Sequence, residues 1–203
     1  FDVLQRSLTL TMAGGGTGSV TSSPSGINCP GSCSADYSDG SPVVLTATPT
    51  AGSTFGGWSG DCTGTGVCNL TMDAAKNLTA TFTLLQRTLS LTKSGSGTGS
   101  ITSSPSGISC GATCSADFDH GTVLVLNATP TGGSLFTGWS GACTGTGTCS
   151  LTMDAAKSAN AQFDLAQRSL SVTMAGTGTG SVTSSPSGIN CPGSCSADYS
   201  DGS

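Results

Sequence analysis

The 203-residue chain carries six basic and eleven acidic residues, one histidine and no glutamate, with only 8% of its positions charged. A net charge of -5 on so few cations cannot supply the phosphate contacts that dominate nucleic-acid affinity, which excludes nucleic acid and disfavours an anionic membrane as partner. No apolar run approaches the ~18 residues of a spanning helix, so no membrane contact is expected in this segment.

The first element sets a period of two. Ser7-Leu8-Thr9-Leu10-Thr11-Met12 alternates polar with apolar, as a half-buried strand does, and Gly14-Gly15-Gly16-Thr17-Gly18 then turns the chain. Further strands are expected over 19–22, 35–38, 43–48, 54–59, 69–72 and 78–84, separated by Pro, Gly and Asp-Gly punctuation, which makes six or seven per unit. Alternating Leu, Val, Phe and Trp positions argue against disorder despite the low charge. The only helix-tolerant stretch, Asp73-Ala74-Ala75-Lys76, is about one turn and too short to stand alone. The expected class is all-β.

The whole pattern then repeats at a fixed period of 81 residues: Phe1 returns as Phe82 and Phe163, Cys29 as Cys110 and Cys191, and Trp58 as Trp139. The chain is expected to hold repeat one over 1–82, repeat two over 83–163 and the first half of a third over 164–203. The third breaks off at Ser203, where the first continues from Ser41 into Val43-Val44-Leu45, and no signal or anchor segment is seen; the chain reads as a window on something longer. Ser7–Ser41 and Ser169–Ser203 differ only at Thr9/Ser171, Leu10/Val172 and Gly15/Thr177, whereas repeat two departs more, so the sequence repeat is expected to be a 162-residue pair.

A unit of this size with few large apolar side chains has a core worth only ~3–5 kcal/mol, so staples are expected. Each full repeat supplies four cysteines, Cys29, Cys33, Cys62 and Cys68, then Cys110, Cys114, Cys143 and Cys149; the half-repeat retains Cys191 and Cys195. Both pairs fall in what read as Gly/Ser/Thr/Pro-rich loops. Four cysteines allow three connectivities. Local pairing is favoured because short loops need no tertiary assumption, each closure contributing roughly 2 kcal/mol. A four-thiolate zinc site is the competing reading, weakened by spacings looser than a C-x2-C knuckle. Disulfides imply an oxidising compartment.

The unit as a whole, with its Gly18-Ser-Val-Thr-Ser-Ser-Pro, Val44-Leu-Thr-Ala-Thr-Pro49, Phe55-Gly-Gly-Trp-Ser-Gly-Asp-Cys62 and Leu78-Thr-Ala-Thr-Phe82 segments, resembles the divergent InlB B-repeat family of secreted and surface bacterial proteins. The resemblance implies an extracellular or cell-surface location, a compact β-grasp-like unit, local disulfides and no catalysis. A small β-sandwich is the alternative architecture.

Catalysis also fails on inventory, so no enzyme and no cofactor is expected. His120 is the sole histidine, it lies in an Asp-His-Gly turn where an exposed side chain is expected, and its counterparts are Asp39 and Asp201; a Ser-His-Asp or Cys-His arrangement could exist in one repeat at most. Asp36 with Asp39, and Asp117 with Asp119, read as turn residues. The Asp36-Tyr-Ser-Asp39-Gly40 stretch lacks the alternating ligands and distal Glu of a calcium loop, so no metal site is expected. Trp58 and Trp139 read as core anchors beside a disulfide, with Phe55, Phe82, Phe136 and Phe163, rather than as sugar platforms.

All three arginines sit at the repeat junctions, as Gln5-Arg6, Gln86-Arg87 and Gln167-Arg168, and residues 79–93 contain neither Gly nor Pro. Strand is therefore expected to pass from one repeat into the next, giving a rod-like array, with the guanidinium clamping an Asp or carbonyls across the joint. The expected function is that of a structural repeat segment in a bacterial surface or filament protein, a stalk or fibre with a part in adhesion. Its expected partners are neighbouring repeats, with a host surface or glycan next. Two alternatives stand beside it: a glycan-binding array and a spacer within a secreted hydrolase.

Overall fold

A computed structural model describes residues 3–203. Phe1, the first of the recurring phenylalanines, lies outside the described residues. Strands form where apolar and polar residues alternate, because successive side chains of extended backbone point to opposite faces. In the first repeat they are β1 (Gln5–Ala13), β2 (Gly18–Ser23), β3 (Asn28–Cys29), β4 (Ser34–Ser38), β5 (Pro42–Pro49), β6 (Ser53–Gly60), β7 (Cys68–Thr71) and β8 (Lys76–Leu84).

These strands make two four-stranded sheets, ordered β4-β1-β8-β6 and β3-β2-β5-β7. Leu8 and Leu10 from β1, Leu78 and Phe82 from β8, Val20 from β2, and Val43 and Leu45 from β5 share one buried cluster. Two sheets thus enclose a single core, and the repeat is a small sandwich. The first and last strands, β1 and β8, run parallel, with Leu8 beside Lys76 and Ala13 beside Thr81. The other pairings are antiparallel. The described residues contain no helix, so nothing fills the place of a β-grasp helix.

The second repeat copies this plan with β9 (Gln86–Ser94), β10 (Thr98–Ser104), β11 (Ser109–Cys110), β12 (Ser115–Asp119), β13 (Val123–Thr131), β14 (Ser134–Gly141), β15 (Cys149–Thr152) and β16 (Lys157–Leu165). Its sheets are ordered β12-β9-β16-β14 and β11-β10-β13-β15 around a core of its own. The half-repeat contributes β17 (Gln167–Ser171), β18 (Val182–Thr183), β19 (Asn190–Cys191) and β20 (Ser196–Ser200), paired β17 with β20 and β18 with β19. By compactness the chain divides into two units: the residues up to Arg87 with Asp119–Gly121, and Thr88–Phe118 with Thr122–Ser203.

The structure departs from the sequence expectations in two places. Each full repeat has eight strands rather than six or seven, the addition being the two-residue β3 or β11, too short to show a period. The cysteines are not confined to loops: Cys29, Cys110 and Cys191 end short strands, and Cys68 and Cys149 open β7 and β15. As expected of so short a stretch, no helix forms at 73–76: residues 73 and 74 form a bend, Lys76 already belongs to β8, and its Nζ pairs with Asp73 at 2.7 Å.

One irregularity positions the aromatic core. Phe55 and Trp58 are three residues apart and would point to opposite faces of a regular strand. A β-bulge lies between Phe55, opposite Phe82, and Gly57, opposite Thr81, and it turns both rings inward. Gly57 takes the positive φ of 132° that the bulge needs, and Gly138 takes the equivalent place in the second repeat.

Candidate functional site at the repeat joints

The Trp58 indole is only 5% exposed, its ring centroid 5.0 Å from that of Phe55, which stands 5.3 Å from Phe82. Trp58 Nε1 donates to the Gly66 carbonyl at 2.7 Å, and its backbone N–H donates to Gly64 at 2.8 Å. The Cys62–Cys68 loop therefore wraps the indole. Phe136, Trp139 and Phe163 repeat the arrangement, with Trp139 Nε1 on Gly147 at 2.8 Å. Neither tryptophan offers an open face to a sugar.

Sulfur pairs are Cys29–Cys33, Cys62–Cys68, Cys110–Cys114, Cys143–Cys149 and Cys191–Cys195, and the described residues hold no free cysteine. Among the described residues no three His, Cys, Asp or Glu side chains converge as metal ligands would. The turn carboxylates are taken up locally: Asp117 accepts from Thr88 Oγ1 at 2.6 Å, and Asp119 accepts from Gln86 Nε2.

The junction arginines pair differently from expectation. Arg6 Nε donates to Asp39 Oδ1 at 2.6 Å and Arg168 Nε to Asp201 Oδ1 at 3.1 Å, each partner lying 33 residues downstream within the same repeat. Among the described residues these guanidinium bonds stay within one repeat. Each guanidinium braces the turn that follows the fourth strand of its own repeat, because β1 and β4 are neighbours and Gln5 lies opposite Ser38. Gln167 likewise bonds Ser200 Oγ at 3.1 Å.

Those braced turns make the joint. Leu85 is the single residue between β8 and β9; its N–H donates to the Gly52 carbonyl at 2.9 Å and its carbonyl accepts from His120 N–H at 2.8 Å. All three lie in the first compact unit. In the second unit Ala166 repeats the pattern, donating to Gly133 at 2.9 Å and accepting from Asp201 at 2.7 Å. Leu4 shows its downstream part, accepting from Asp39 at 2.8 Å.

His120 is accordingly half-buried and not an exposed turn residue; Arg87 Nε lies 3.4 Å from its Nδ1. Its ring lies against Gly52, where a Cβ would come within 2.0 Å of Cδ2. Gly52 also has a φ of 81°, so glycine is required there twice over. Sequence reasoning marked the arginines but missed Gly52, Leu85 and the histidine's role. The available signal was a glycine with Leu85 and His120 spaced about a strand pair apart, which no periodicity test detects.

Fold and joints together define an all-β, disulfide-stapled tandem repeat. The divergent InlB B-repeat domain matches residues 8–86 and again residues 89–167. The chain belongs to that family. No curated protein matches it. Among solved structures it is similar to the Bacillus anthracis TIE protein, with a TM-score of 0.54 at 10% identity, covering 96% of this chain and 43% of that one. The chain thus spans less than half the length of that relative. Weaker similarity links it to the major pilin T-13 of Streptococcus pyogenes (TM-score 0.37, 8% identity, 79% of this chain and 96% of that one). The shaft pilin SpaA of Lactobacillus rhamnosus GG, as its E269A mutant, follows at TM-score 0.26, 10% identity, 81% of this chain and 98% of that one.

Proposed function

We propose that this chain is a structural repeat segment of a bacterial surface protein, exposed outside the cell, whose work is to hold other parts of that protein at a distance or in a fibre. Family membership supports the surface setting. The observation that carries the reading is the joint: the same pair of backbone hydrogen bonds recurs at Leu85 and Ala166, so the ordered chemistry of the chain goes into closing each repeat and tying it to the next turn. Its partners on this reading are neighbouring repeats, and no chemistry is asked of any side chain.

Labelling intact cells of the source bacterium with antibody against residues 3–203, alongside a cytosolic control protein, tests the setting. Labelling without permeabilisation supports the proposal; detection only after lysis overturns it.

A glycan-binding array is the second reading. A shallow depression of about 250 Å³ on the second repeat, lined by Ser90, Thr92, Ser140, Ser158 and Asn160, supports it by presenting hydroxyl and amide groups together. Saturable binding of an oligosaccharide lost on Asn160→Ala would favour this reading over a passive stalk.

A further inference from the structure

The strand order fixes how each full repeat meets a pull along the chain. In the second repeat the chain enters through β9 and leaves through β16, and these two strands lie side by side in the middle of the sheet β12-β9-β16-β14. They run parallel, in register from Leu89 beside Lys157 to Ser94 beside Gln162. Parallel neighbours start at the same edge of a sheet, so the chain enters near the start of β16 and leaves from its far end at Leu165. Tension therefore drags β9 one way and β16 the other, along their lengths. All six residue pairs of the ladder are loaded together, in shear. The first repeat is built alike: β1 and β8 are the central strands of β4-β1-β8-β6, in parallel register from Leu8 beside Lys76 to Ala13 beside Thr81.

The loaded strands also carry the core. β9 buries Leu89 and Leu91, and β16 buries Ala159, Ala161 and Phe163. A slip of one residue would turn that set to the solvent face, because side chains alternate along a strand. A slip of two would move Phe163 by ~7 Å. That exceeds the 5.5 Å between its ring centroid and that of Phe136. β16 is held on its other side as well, by β14 from Ser134 opposite Leu165 to Gly141 opposite Ala159, so it leaves only by breaking a second ladder. Among the described residues no disulfide links β1 with β8 or β9 with β16, so this resistance is noncovalent. Nor is there slack to draw out first: Leu85 alone separates β8 from β9, and Ala166 alone separates β16 from β17.

We propose that each full repeat is a force-bearing clamp, and that carrying tension along the chain is a further function of this segment. The source of the tension rests on the surface-protein reading above. The clamp itself is a property of the fold and is measured without cells, so the two fail separately.

The test pulls single molecules of the oxidised 203-residue chain between two handles and changes only where the second handle sits. Both pulls use one chain with an attachable residue in place of Ala155, which lies in the exposed bend before β16. Held by its two ends, the chain should give two strong unfolding events, one for each full repeat. With the second handle on residue 155, the pull leaves the second repeat near the point where it entered, and β9 is peeled from β16 one residue pair at a time. One strong event should then remain, from the first repeat. The second repeat should open at a force at least about twofold lower, because its individually weak hydrogen bonds now fail singly. An equal number of strong events in the two geometries overturns the proposal. Opening of both repeats at the peeling force when the chain is held by its ends overturns it equally.

Discussion

Trp58 and Asp164 show how single side chains carry the two kinds of support in this fold. Trp58 fills the space that the bulge opens between Phe55 and the Cys62–Cys68 loop, so Trp58→Ala removes both a buried ring and the Nε1 bond to Gly66. A loss of ~3–5 kcal/mol in chemical denaturation is expected, the usual range for emptying a core aromatic site. Asp164 works through polarity. Its carboxylate accepts from Gln162 Nε2 and Thr137 Oγ1 at 2.8 Å each and from Ser96 N–H at 3.2 Å, and these bonds hold its pKa below the ordinary carboxylate value. A depressed folded pKa means a stabilisation present above the unfolded pKa and lost as pH falls through the folded one. The stability gap between the native chain and Asp164→Asn should therefore be widest near neutrality and close on acidification. A gap constant from pH 7 to strong acid would show that the carboxylate charge is not involved.

At the scale of elements, the strands were legible because burial writes a period of two into Leu8-x-Leu10 and Leu78-x-Ala80-x-Phe82. The bulge was not, because Phe55 and Trp58 break that period and only Gly56-Gly57 hints at the repair. The arginine brace was half legible. Three arginines at equivalent places announced a role, but their partners lie 33 residues away in the turn after a neighbouring strand, a pairing set by sheet order and not by local sequence. Disulfide pairing belongs to this scale too. Five bonds joining near neighbours predict an oxidised chain about 10 Da lighter than the reduced one, two hydrogens for each bond. Peptide mapping should link Cys29 with Cys33 and Cys62 with Cys68; a Cys29–Cys62 link would contradict the local pairing.

For the whole molecule, repetition was the most legible property, since an 81-residue self-match needs no structural theory, and family membership follows it. What the sequence hid is how a repeat ends. Residues 79–93 read as one uninterrupted strand, yet the chain has a break at Leu85, where its N–H and C=O are taken by Gly52 and by the turn of His120. Backbone hydrogen bonds from non-local turns leave no side-chain pattern, so only coordinates reveal them. A structural role needs those bonds to persist in solution. The most direct measurement is amide hydrogen exchange on the intact 203-residue chain, resolved at Leu85, His120, Ala166 and Asp201. Exchange slowed to the level of the adjoining strands β8 and β16 is the predicted result. Exchange at the rate of an unprotected linker at all four would mean that the repeats are strung on free tethers, which contradicts a structural array built from ordered joints.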